Sequence, residues 1–299
     1  MGLHNRGRGL DLFLQTLLNG VLIGGILICL TIGFQLTFGV LHVIDFAVGG
    51  WVMLGGYAAY FAGTLLGIDP FLSVFLVFAL FLVVGRAMGP LIYHVRTSRY
   101  ARPDLMALAF TFGVFMLMRG GALWLWSYNS RNVESALSGQ FLALGPVTVP
   151  MLRLAAFVMA LLLSLGLFLL LYRSRFGLAV RAVAQNRDHA GLMGVDVRRV
   201  SAYVYGIYTG MTAAAGALIA TIFAVNPEVG VRYTLFAFFV AVLAGLGSVG
   251  GVLVAGLALG LVEAMVSTYI GARYSLLVVF ATLFLMLLVA PKGILGRGI

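Results

Sequence analysis

Apolar residues along this chain neither alternate nor recur once per helical turn; they continue for twenty residues and more at a stretch. Residues 12–41 carry no charge, and further long apolar stretches cover residues 46–68, 70–93, 105–128, 154–172, 201–223, 233–270 and 274–290. About 20 consecutive apolar residues take a helix across the hydrocarbon of a bilayer, where only a helix or a closed barrel pairs every backbone polar group. The pattern therefore predicts an all-α protein, a polytopic transmembrane helical bundle. The first stretch fits one long helix or two short ones divided near residues 30–33. Two are preferred, because His4, Arg6 and Arg8 then stay on the cytoplasmic side. That choice gives about ten segments with both termini inside, whereas one helix gives fewer and puts the N-terminus outside, so roughly 8–10 segments are expected. No polar stretch is long enough to fold outside the membrane, and residues 1–299 are expected to form a single membrane domain.

The charged positions agree with this layout. The net charge of +10 would suit a nucleic-acid partner if it were spread over a soluble surface. Instead Arg96, Arg99 and Arg102 cluster in one connection, and Arg173, Arg175, Arg181, Arg187, Arg198 and Arg199 in another, as loops retained in the cytoplasm do. The charge reports topology, and no nucleic acid is expected. Residues 129–149 then lie outside, with Trp124, Trp126 and Tyr128 at the outer interface and Lys292 and Arg297 inside.

Few groups carry chemistry. Cys29 is the only cysteine, so an intrachain disulfide and a cysteine zinc site are excluded, and a small buried residue is expected there. The four histidines are scattered, and no metalloprotease, serine-hydrolase or phosphate-loop motif occurs. No enzyme, metal or cofactor is expected, and any ATP must be bound by another subunit. Four ionisable residues fall inside or directly beside apolar runs, where a place in the bilayer is costly and needs an explanation. Arg86 can snorkel to the nearby cytoplasmic end. Arg119 lies deeper and needs either a partner within the bundle or an outward snorkel. Asp45, three residues after His42, sits where a helix break would let it orient backbone amides. Glu263 faces either a path or a contact between subunits. For both carboxylates a structural hydrogen bond is the default role, with contact to a solute the sharper alternative.

Two glycine clusters carry a similar choice. Gly49, Gly50, Gly55 and Gly56, and Gly245, Gly247, Gly250, Gly251, Gly256 and Gly260, either pack helices closely or mark helix breaks near residues 43–50 and 247–251 whose freed backbone lines a path. On the second reading His42, Asp45, Phe46, Gly49, Gly50, Gly247, Gly250 and Glu263 form the candidate solute path.

Residues 176–203 read as an amphipathic cytoplasmic helix. Ala179, Ala182, Val183, Ala190 and Met193 are apolar at helical spacings, Arg181, Gln185, Arg187 and Asp188 intervene, and Gly194 is placed to end the helix in a left-handed cap. Such a helix either lies on the lipid surface or docks its apolar face in a groove of a partner.

Read in order, LLNGVLIGG (17–25), TFGVLHVIDFAVGGWVMLGGYAAY (37–60), the loop at 176–200, GLGSVGGVLVAGLALGLVEA (245–264) and LLVAPKGILGR (287–297) resemble the membrane permeases of branched-chain amino-acid ABC importers. The resemblance covers nearly the whole chain. It implies a multi-pass subunit of the bacterial inner (plasma) membrane, paired with a second related permease, two cytoplasmic ATPase subunits and a periplasmic solute-binding protein. It also implies that the loop at 173–199 couples to the ATPase, through Arg181, Ala182, Gln185, Asn186, Ala190, Gly191, Leu192, Met193 and Gly194. Two departures matter: Asp45 and Val48 stand where this family has an asparagine and a histidine, and the family's proline near Gly250 is missing. The first leaves urea, short amides or aromatic acids as alternatives to amino acids, and an Asp45→Asn change is expected to alter solute preference more than assembly. The rival class, a self-sufficient carrier or channel, would place more acids and histidines along its core than Asp45 and Glu263.

Overall fold

The computed structural model describes residues 2–98, 102–145, 147–290 and 293. The side chains of residues 2–10, and with them His4, Arg6 and Arg8, lie outside the described set, as do Arg99, Lys292 and Arg297. The described chain is almost entirely helical. Helix α1 (Gly2–Leu41) is followed by α2 (Val48–Leu66), α3 (Pro70–Thr97) and α4 (Pro103–Trp126). A short antiparallel hairpin, β1 (Phe141–Leu144) with β2 (Val147–Pro150), precedes α5 (Met151–Arg173). Two short helices, α6 (Arg175–Gln185) and α7 (Arg187–Leu192), lead into α8 (Val197–Ile222), α9 (Val229–Ala244), α10 (Gly251–Val266) and α11 (Ser275–Val289).

Among the described residues, six helical stretches are long and apolar enough to cross a membrane: 11–41, 70–97, 103–126, 151–173, 197–222 and 251–289. The last is interrupted by a π turn at Ser267–Gly271 and a 3₁₀ turn at Ala272–Tyr274. Helices α2 and α9 are shorter apolar helices of 19 and 16 residues that begin inside the bundle.

Helix α8 forms the axis of the packing. Nearly every residue from Val200 to Thr221 is buried, against α1, α2 and α3. Its small residues allow this: Gly206 and Gly210 lie against the Leu82 and Phe78 carbonyls, and Gly85 and Gly89 lie against Thr209 and Ala202. These contacts run antiparallel, so the end of α3 and the start of α8 share one side. Both arginine-rich connections therefore sit at the same end, as retention in the cytoplasm requires, and by that rule it is called the inner end.

The first apolar stretch is a single helix, which corrects the preferred two-segment reading. Gly33 is not a break; it lets α1 approach the Tyr208 backbone of α8, where a Cβ would lie 3.1 Å away. The side of the N-terminus changes with it. The Gln15 amide pairs both ways with the Thr148 backbone of the hairpin, at 2.5 and 3.0 Å, and Arg153 donates to Asn19 at 3.1 Å. The other end of α1 touches the inner loop. Helix α1 thus runs from outside to inside, and tertiary pairing outweighs the three N-terminal basic residues on which the opposite expectation rested.

Candidate functional site

Both suspected breaks occur. Between α1 and α2 the backbone leaves the helix at His42, which takes a left-handed φ of +52°, and re-enters at Val48. Asp45 occupies the middle of this break, fully buried. One carboxylate oxygen accepts the Ala47 N–H at 2.7 Å, and the other accepts the Tyr205 hydroxyl of α8 at 2.8 Å. The Phe46 N–H is taken by Thr111 of α4 at 3.1 Å. A break at this depth leaves amides with no water to meet them, and Asp45 and Thr111 supply the missing acceptors. Phe46 closes the site, with its ring 4.8 Å from Phe238 and 6.1 Å from Phe112.

The second break, Gly245 to Gly250 between α9 and α10, is held by one side chain of α1. The Gln35 amide donates to the Ala241 and Gly245 carbonyls at 2.9 and 3.0 Å, and its oxygen accepts the Gly247 N–H at 2.7 Å. Gly245 and Gly247 have φ near +89° and +86°, which residues other than glycine rarely adopt. The glycines of the first cluster pack closely. A methyl on Gly49 would collide with the Gly230 carbonyl of α9, and one on Gly55 with Ala213 of α8. Gly250 has open space around it.

The intramembrane charges find partners far away in sequence. Arg119 pairs with Glu228 at the start of α9, and Glu263 of α10 with Arg232 of α9 at 2.8 Å. Sequence reasoning missed Glu228 and Arg232 because residues 224–232 read as a connection. The signal was there in Arg232, which a helix starting at Val229 puts in its first turn. Arg86 rests its guanidinium 4.4 Å over the Tyr203 ring, beside Arg198 and Arg199 at the inner end, which fits the snorkel.

The inner loop departs from the single-helix expectation. Asn186 (φ −158°, ψ 114°) interrupts it, and its side chain accepts the Asp188 and His189 N–H groups at 3.0 Å, starting α7 afresh. An asparagine competes with the helical backbone in this way and is favoured as an N-cap. Gly194 then turns left-handed with φ +85° as expected. Helix α6 spends its apolar face on its own chain: Val180 and Val183 are buried, Ala182 is half-buried, and Arg181 donates to the Leu171 carbonyl. Ala190 is buried too, while Gln185, Asn186, Gly191 and Gly194 are exposed. Leu178, near the start of α6, stays exposed, and at the tip the apolar groups left free are Leu192 and Met193, 84% and 85% exposed.

Arg187 joins this tip to the membrane bundle. Its guanidinium donates to the Val40 carbonyl from Nε at 3.2 Å and from an Nη at 2.7 Å, and lies 3.4 Å from His42 Nδ1. The last carbonyls of a helix lack intrahelical donors and attract cations. Burial and the neighbouring Arg187 and Arg96 hold the His42 imidazole below its ordinary pKa, which favours the neutral ring, and the tautomer with a bare Nδ1 accepts from Arg187.

Residues 16–287 match the family model described as branched-chain amino acid transport system / permease component. The chain is 31% identical to the high-affinity branched-chain amino acid transport system permease protein BraD of Pseudomonas aeruginosa, and 32% identical to the corresponding protein LivH of Escherichia coli K12. Each alignment covers 95% of this chain and 96% of the relative. It is 28% identical to a probable branched-chain amino acid transport permease protein LivH of Methanocaldococcus jannaschii, over 96% of this chain and 94% of that one. No solved structure matches. These relatives are transport permeases and not enzymes. With a match of this extent over a bundle of membrane-crossing helices, the chain belongs to the family of permease components of branched-chain amino acid transport systems.

Proposed function

We propose that the chain forms half of the translocation path of an ATP-driven importer for branched-chain amino acids in the inner membrane. Its partners are a second related permease, two cytoplasmic ATPase subunits and a periplasmic solute-binding protein. The single observation that carries the ATP-driven reading is the tip of the inner loop. Leu192 and Met193 project from an otherwise polar surface while Arg187, five residues earlier, grips the end of α1. Two apolar knobs at the C-terminal end of a short helix suit a groove in a partner, and the Arg187 link hands any movement of α7 to α1 and to the break at His42–Ala47. ATP-dependent movement of the partner would then shift the bundle between two arrangements, each favoured by a different nucleotide state.

The solute reading follows the relatives. Asp45 and Val48, where this sequence departs from the family, are both fully buried, and Asp45 is occupied by Ala47 and Tyr205. The departure therefore gives no reason to prefer urea, amides or aromatic acids. The candidate path residues divide by exposure: Asp45, Gly49, Gly50 and Gly247 are internal to the subunit, while His42 and Gly250 are open. The charged pairs Arg119–Glu228 and Arg232–Glu263 offer both signs to a zwitterion and extend the candidate path. The test is uptake of labelled leucine by proteoliposomes holding the two permeases and the ATPases, with the binding protein on the outside. ATP-dependent accumulation that excess isoleucine or valine suppresses is expected. Accumulation without ATP, or none with any of the three, overturns the reading.

A further inference from the structure

At the inner end of the bundle, α3 and the first turns of α8 enclose a cleft of about 640 Å³ lined by Val83, Arg86, Pro90, Arg198, Arg199 and Tyr203, with Asp196 at its rim. Three guanidiniums meet one carboxylate there. Asp196 is already engaged, by the Arg199 N–H at 3.0 Å and its guanidinium at 2.8 Å. Among the described residues neither Arg86 nor Arg198 takes part in an ion pair. The cleft is therefore short of negative charge.

Tyr203 also forms one wall of a second groove, of about 670 Å³, which runs between α3, α5 and α8 towards the middle of the bundle. Its lining is apolar, with Phe75, Phe78, Leu162, Leu170 and Met211 among its walls, and Gly166 leaves open space in its floor. Tyr203 thus sits at the junction, with the Arg86 cation on its face at 4.4 Å and the Phe176 ring against its edge at 6.0 Å.

A cation-rich cleft at the cytoplasmic level that shares its Tyr203 wall with an apolar groove at membrane depth has the two-part chemistry of one kind of ligand. We propose that this is a binding site for an anionic phospholipid of the inner leaflet, its phosphate held by Arg86, Arg198 and Arg199 and one acyl chain lying in the groove past Tyr203. Guanidinium forks match phosphate oxygens, basic pockets between membrane helices on the cytoplasmic side are suited to acidic headgroups, and the tight α3–α8 contacts hold the cleft in shape without a ligand. The site is separate from the coupling tip and does not depend on the identity of the transported solute.

The test uses the full chain purified with its partner subunits, titrated with phosphatidylglycerol and with phosphatidylethanolamine of the same acyl chains, with bound lipid counted by native mass spectrometry. Wild type is expected to favour phosphatidylglycerol. The Arg86→Gln/Arg198→Gln variant is expected to lose about tenfold or more of that preference, and the exposed Arg198→Gln alone about fivefold, a change the fold easily tolerates. Gly166→Trp, which fills the groove and leaves every charge, is expected to weaken both lipids alike. Inorganic phosphate in millimolar excess should not displace the lipid, since it lacks the chain. Equal binding of the two lipids, unchanged preference after removal of the arginines, or loss of the ATPase subunits from the arginine variants at undiminished lipid binding would each overturn the proposal.

Discussion

The Arg187 guanidinium bonds twice to the Val40 carbonyl, so the inner loop is fastened to the last turn of a helix that reaches the outer hairpin through Gln15. A charge-assisted contact of this kind is worth about 1.5–3 kcal/mol. Its removal should separate ATP hydrolysis from transport. Arg187→Met, which keeps the apolar stem, is expected to leave ATPase activity within about twofold of wild type while leucine uptake falls about tenfold or more, with Arg187→Lys intermediate because a point charge replaces a fork. Parallel loss of both activities would mean that Arg187 serves assembly alone.

Gly191, Leu192 and Met193 give a cleaner test of docking, because the subunit itself does not need them. The space around Gly191 is open, with its nearest neighbour the Val197 side chain at 4.0 Å, and Met193 is almost wholly exposed. Met193→Asp or Gly191→Arg should therefore insert and elute normally yet fail to retain the ATPase subunits on purification. Normal uptake by either variant would refute the docking assignment.

Asp45 now calls for a different expectation from the one its sequence position suggests. A fully buried carboxylate that satisfies a broken helix and a tyrosine hydroxyl is part of the core, and breaking such a contact costs about 1–3 kcal/mol. Asp45→Asn and Tyr205→Phe should each lower the melting temperature of the purified subunit, with the double variant less than additive because the two share one bond. The leucine concentration for half-maximal uptake should be unchanged. A shift in solute preference with normal stability would return Asp45 to the path.

His42 adds a dependence on pH. Its pKa lies below the ordinary imidazole value of about 6.5, so the folded protein binds its proton less readily than the unfolded chain does. The neutral form is present in full above that value, and the contribution is lost as the pH falls below it. Protonation also sets a cation against Arg187. Wild type should lose coupling between pH 7 and pH 5, measured as uptake per ATP hydrolysed, and His42→Gln should flatten that profile.

What the sequence made legible follows from how far each feature depends on distant residues. The apolar runs and the two arginine clusters are local; the runs correctly give a helical membrane bundle, and the clusters fall at one end of it. The breaks were also readable, since glycines crowd both. What escaped was pairing across the fold. Arg119 and Glu228 are 109 residues apart, and Glu263 meets Arg232 on a different helix. Gln35, in the middle of an uncharged run, carries no sign of its bonds to residues more than 200 positions away. Gly33 misled for the same reason, because a glycine that admits a neighbouring helix looks in sequence like one that ends its own.

Gln35 therefore offers the sharpest test of the second break. It donates to two carbonyls and accepts one N–H, all buried. Gln35→Leu roughly keeps the volume but takes their side-chain partner from the Ala241 carbonyl and the Gly247 N–H, while the Gly245 carbonyl keeps the Ser248 N–H at 3.0 Å; at about 1–3 kcal/mol for each group left unpaired before relaxation, it should lower the melting temperature by more than Asp45→Asn does. Gln35→Glu keeps the acceptor for Gly247 but, when ionised, turns a negative oxygen towards the Ala241 and Gly245 carbonyls. If the turn is held through those two carbonyls, both variants should fail alike in accumulation and melting. If the Gly247 N–H is the decisive contact, the glutamate variant should retain most of the wild-type stability.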